Sequence, residues 1–106
     1  MLTMKVGEAQ VADNGNPIAE ARKRKPDENG EPMSIRELAR RAGVPASTVW
    51  RAEMGKPKFG ITGPLARVLA EALDYPGGMG KLHTDYRTWL AAYRRKQEQA
   101  DRQADQ

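Results

Sequence analysis

The chain has 106 residues, 39% of them apolar, and carries 18 basic against 14 acidic side chains for a net charge of +4. That length supports one small core, and the absence of cysteine excludes disulfides, thiolate zinc sites and thiol nucleophiles. No apolar run approaches the ~18 residues of a membrane span and no secretory signal opens the chain, so a cytoplasmic protein is expected, its mild basic excess suiting a polyanionic partner.

Residues 1–15 show weak periodicity and end in turn chemistry, Asp13-Asn14-Gly15-Asn16, which reads as a flexible N-terminal arm. Asn16 caps and Pro17 opens a helix over 17–24, ending before Pro26. Residues 26–32 read as an extended loop. Ser34 offers an N-cap oxygen to a helix over 35–42, in which Ile35, Leu38, Ala39 and Ala42 recur at i, i+3, i+4, i+7. Gly43 stands where the chain must turn sharply, because glycine reaches the left-handed conformation without a Cβ penalty. Val44 can plug the corner. In the next helix, 46–54, Val49 and Ala52 turn inward, and Ala39 is small where the two helices cross most closely. Residues 55–62 are a loop rich in Lys, Gly and Pro. Leu65, Val68, Leu69, Ala72 and Leu73 define a helix over 63–73, broken by Tyr75-Pro76-Gly77-Gly78. A last helix is expected from Thr84 or Asp85 to about residue 100, with Leu82, Tyr86, Trp89, Leu90 and Tyr93 as its apolar stripe and a polar end that frays beyond Arg94.

Two short helices joined by a tight turn over 34–53 form a helix-turn-helix, a device for laying one helix in the major groove of DNA. On these residues, residues 33–74 resemble the regulators typified by lambda Cro and lambda repressor, the xenobiotic-response-element family. Glu53-Met54-Gly55-Lys56 and Leu69-Ala70-Glu71-Ala72-Leu73 carry the resemblance further, and Ile18, Ala21 and Arg22 extend it weakly backward. It implies an all-α, compact four- to five-helix lambda-repressor-like domain over 16–74. Residues 75–106 then form an additional C-terminal helix and polar tail, used for packing or dimerisation.

The resemblance also implies roles. By position in the family, Ala46, Ser47, Trp50 and Arg51 would read bases. Arg51 is the best reader, since its fork matches the O6 and N7 acceptors of guanine. Ser47 can bond a base edge or a phosphate. Ala46 offers only a methyl, where the family often has Arg or Gln. Trp50 is either core or surface cover, or an apolar contact to thymine methyls or a sugar. Pro45 replaces a usual capping Ser or Thr, leaving amides that a phosphate could satisfy. Backbone phosphates would be held by Ser34, Arg36 and Arg40 and by Lys56, Lys58 and Thr62, with a weaker claim for Arg41. The family pairs a Glu at the position of Glu53 with an Arg at that of Arg22, tying the third helix to the first. Ala39, Gly43 and Val49 are structural.

From Arg36 to Lys58 six basic residues face two acidic ones, and Arg22-Lys23-Arg24-Lys25 forms a second basic cluster. Beside a helix-turn-helix, such clusters read as phosphate contacts. Catalysis finds no support: His83 is the one histidine, with no partners at defined spacing, and Gly77-Gly78-Met79-Gly80 lacks the Lys-Ser/Thr ending of a phosphate loop. No enzyme activity, metal, cofactor or small-molecule ligand is expected. The leading expectation is a sequence-specific transcriptional regulator, a repressor of bacterial or bacteriophage origin, bound to a double-stranded DNA operator and able to form a homodimer through residues 82–93. The alternative is an antitoxin-type interaction module whose C-terminal segment binds a protein. A third reading keeps the fold without DNA binding, as in an anti-repressor.

Overall fold

Asn16 begins the ordered architecture. Its Oδ1 accepts from the Ile18 and Ala19 N–H groups at 2.9 and 3.0 Å, satisfying donors that a helix start leaves orphaned. The computed structural model describes residues 15–104 except Phe59, with the backbone alone for 101–104. The arm assigned to residues 1–15 therefore lies, apart from Gly15, outside the described residues.

Helix α1 (Pro17–Arg24) buries Ile18 and Ala19 and ends at an extended Lys25 before Pro26. Residues 26–32 form a closed turn, not the extended loop expected from their composition. Pro26 and Pro32 form an antiparallel bridge, and Asp27 Oδ1 accepts from the Asn29 and Glu31 N–H groups at 2.8 and 3.0 Å. An aspartate that bonds the backbone just ahead of it favours such a turn. Closure brings Met33 back to donate to the Lys25 carbonyl at 3.1 Å and buries its side chain completely.

Helix α2 (Ile35–Ala42) is capped by Ser34, whose Oγ accepts from the Glu37 N–H at 3.1 Å. Gly43 ends it at φ 74°, ψ 31°, and the Val44 N–H reaches the Ala39 carbonyl at 3.0 Å. Helix α3 (Ala46–Glu53) follows Pro45, which supplies no side-chain cap, and stops one residue short of the expected 54. Helix α4 (Gly63–Leu73) is capped by Thr62, whose Oγ1 accepts from the Leu65 N–H.

Helix α5 spans Gly78–Ala104, so it starts about two turns before the expected Thr84 or Asp85 and continues through the polar segment after Arg94 to slightly beyond the expected end at about residue 100. Gly77 and Gly78 take positive φ at the turn, but Gly80 sits inside the helix. Burial of Leu82 on the core offsets the low helix propensity of that first segment. The Arg/Lys/Gln/Glu/Ala composition after Tyr93 consists of good helix formers, which carries the helix onward.

The described residues thus form an all-α, five-helix fold with a helix-turn-helix at α2–α3. One core joins Ile18, Leu38, Val49, Leu69, Leu82 and Tyr86, side chains from all five helices. Helix α5 packs chiefly on α4 and also on α1, so residues 75–104 share the core of the preceding segment. No helix among the described residues is long and apolar enough to cross a membrane.

Candidate nucleic-acid interface

The inner side of α3 is held from three directions. The Arg22 guanidinium forks onto Glu53, Nε to Oε2 at 2.8 Å and Nη2 to Oε1 at 2.9 Å, while Nη1 donates to the Met33 carbonyl at 2.8 Å. Glu53 is 6% exposed, so its desolvation is offset by a bidentate, charge-assisted contact. One residue earlier, the Ala52 carbonyl accepts from Asn16 Nδ2 at 3.1 Å and from the Tyr86 hydroxyl at 2.6 Å. Helices α1 and α5 therefore converge on the last turn of α3. Burial pushes the Tyr86 phenol up to about 12, which keeps it a donor.

The outer side presents Ser47, Trp50, Arg51 and Met54 to solvent. Trp50 is 44% exposed, so it is not core. Ala46 differs from its assignment as a base contact: it is half-buried and packs against the core. Val49 and Ala52 are fully buried, and Ala39 is nearly so.

Charge on the surface is sorted by pairing. Glu37 accepts from Arg40 at 3.0 and 2.5 Å and from Arg41 at 2.7 Å. These hydrogen bonds hold its carboxyl down at about 2. Arg40 is thus shared between its assigned phosphate role and an i,i+3 pair. Arg36, Arg51 and Lys56 are exposed and make no ion pair among the described residues. Ser34 and Thr62 are exposed caps, and Lys58 is exposed. In the second basic cluster Arg22 is committed to Glu53 and Lys25 pairs with Asp74 at 2.6 Å, while Arg24 is exposed and 3.6 Å from Glu20.

Two contacts between α5 and the loop after α3 have no counterpart among the expectations from sequence. Gly55, at φ 71°, lies so close to α5 that an added Cβ would stand 2.8 Å from Tyr93 Cε2 and 3.2 Å from Trp89 Cη2. Arg94 donates to the carbonyls of Pro57 and Lys58. Together they fix the loop after α3 onto α5. A glycine directly after a helix is a visible signal for the first; a long-range side-chain-to-carbonyl bond has no local signature.

A groove of about 820 Å³ lies elsewhere, between α1, the α4–α5 turn and α5. Along it the Tyr75 hydroxyl donates to Asp85 Oδ2 at 2.6 Å and Lys81 Nζ to Oδ1 at 2.8 Å. Among the described residues no three His, Cys, Asp or Glu side chains gather as a metal site. No protein-family model, curated protein or solved structure matches the chain.

Proposed function

We propose that this protein is a sequence-specific double-stranded DNA-binding regulator of transcription that lays α3 in the major groove. The observation that carries the reading is the two-sidedness of α3. Its inner face is fixed by Arg22, Asn16 and Tyr86, while Ser47, Trp50 and Arg51 stand outward and unpaired cations flank them. Arg51 reads guanine, Ser47 bonds a base edge or a phosphate, and Trp50 offers an apolar face to thymine methyls or sugars. Arg36, Lys56 and Lys58, with Ser34 and Thr62 at helix starts, grip phosphates, and Arg40 joins them by exchanging part of its hold on Glu37. Such contacts position the protein, and the base contacts specify. A repressor occupying an operator in the cytoplasm of a bacterial or phage-infected cell needs no catalytic group.

The test is selection of duplexes from a randomised pool by the purified chain, followed by affinity measurements across a salt series. A recovered consensus with steeply salt-dependent binding is expected. Recovery of random sequence with flat salt dependence removes the proposal.

A further inference from the structure

Helix α5 brings positive charge to the loop that follows α3. Arg94 bonds the Pro57 and Lys58 carbonyls. Arg87, two turns earlier and on the same side of the helix, has its Cγ 3.9 Å from where a Cβ on Gly60 would stand. Arg87 is exposed and makes no hydrogen bond or ion pair among the described residues. No acidic side chain occurs between residues 86 and 97 or between 54 and 70. At the near ends of these stretches the carboxylates are engaged, Glu53 by Arg22 and Asp85 by Tyr75 and Lys81, and Glu71 and Glu98 stand at their far ends. This unpaired cation therefore stands beside Gly60, in the same loop that carries Lys56 and Lys58, although it lies far from that loop in sequence.

We propose that Arg87 of α5 is a phosphate-contact residue that lengthens the DNA-backbone grip of the α3–α4 loop, its partner being the sugar–phosphate backbone of duplex DNA beside the bases under α3. This rests on the DNA-binding reading above. A guanidinium suits the task because its planar fork bonds two phosphate oxygens at once. Arg94 serves as the positioning residue, since it holds the loop against α5 so that the two sets of cations lie side by side.

The experiment measures the affinity of the full chain for mixed-sequence duplex DNA, and for a duplex selected by the wild type, over a range of salt concentrations. Arg87→Gln should make the slope of log K against log salt shallower by about 0.9, the value for one phosphate contact on duplex DNA. The change should be the same on both duplexes, with sequence preference and melting temperature unchanged. Arg87→Lys should restore most of the slope, since the charge is retained. Lys56→Ala is the reference, expected to flatten the slope by a similar amount. An Arg87→Gln slope equal to wild type overturns the assignment and leaves Arg87 a solvated surface cation; a shallower Lys56→Ala slope in the same series shows the DNA-binding reading intact. Absence of salt-dependent binding by the wild type overturns both.

Discussion

Arg51 and Glu53 are two residues apart on α3 and carry opposite charges, yet the helix turns them to opposite sides. Glu53 is buried against Arg22, and Arg51 stands in solvent. The same substitution therefore has different consequences at the two ends of this contrast. Arg51→Ala removes no contact within the fold. It should leave the melting temperature unchanged, lower affinity for a selected duplex by ~1–3 kcal/mol and flatten preference at one base pair. Unaltered affinity and preference in a binding assay would show that another residue reads that base. Arg22→Ala leaves the Glu53 carboxylate buried without its fork and also frees the Met33 carbonyl. It should destabilise the fold by about 3–5 kcal/mol in denaturant unfolding. The double change Arg22→Met/Glu53→Leu should recover most of that loss, because a well-packed apolar pair avoids both desolvation costs. If the double variant is as unstable as the single one, the pair contributes attraction well beyond its own desolvation.

At the scale of the elements, Gly43 and Gly55 both take positive φ, and they separate two reasons for requiring glycine. An added Cβ at Gly43 meets nothing within 4 Å, whereas one at Gly55 would press on Tyr93. Asparagine enters the left-handed region with little cost, so Gly43→Asn should be nearly neutral. Gly43→Val should cost roughly 1–3 kcal/mol through backbone strain. Gly55→Asn should be destabilising despite its tolerated backbone, since the ring of Tyr93 must move. Thermal melts of the three variants check the order, and equal effects of asparagine at both positions would refute the distinction. The turn at Gly43 was legible in the sequence because its cause is local, as were the spans 17–24, 35–42 and 63–73, each set by a cap, a period and a breaker. The early start of α5 was not legible. Its glycines signal a break, and only the burial of Leu82 in a core assembled from distant residues outweighs them. The inward packing of Ala46 and the commitment of Lys25 to Asp74 are hidden for the same reason: each depends on a partner supplied by another part of the fold.

For the molecule as a whole, α5 closes the structure. Leu82, Tyr86, Trp89 and Leu90 are buried in the chain's own core, and of the stripe considered for a two-fold contact only Tyr93 keeps a half-buried position. Tyr86 gives this closure a pH signature. Its phenol rises from an ordinary 10.0 to about 12 because it is buried, and burial likewise raises Tyr75, which also donates to Asp85. A folded pKa above the unfolded one gives stability that is full below pH 10 and is lost as pH rises through about 12. Tyr86→Phe should therefore flatten the alkaline fall in stability, leaving the share due to Tyr75, and an unchanged alkaline fall would mean that Tyr86 titrates normally. The same burial decides what Trp89 does. Its ring stacks on Tyr93 with centroids 4.9 Å apart and tilts against Tyr86 at 5.4 Å, so the aromatic surface is spent inside one chain. A second copy would find little apolar area on residues 82–93, and stable interfaces bury about 800 Å² per partner. Trp89→Ala should accordingly destabilise the fold by about 3–5 kcal/mol, with the folded fraction sedimenting like wild type, as a monomer at micromolar concentration. Pairing of two copies would then occur on DNA, through adjacent half-sites about one helical turn apart. A wild type that sediments as a dimer, and a folded Trp89→Ala variant that does not, would return this stripe to the subunit interface.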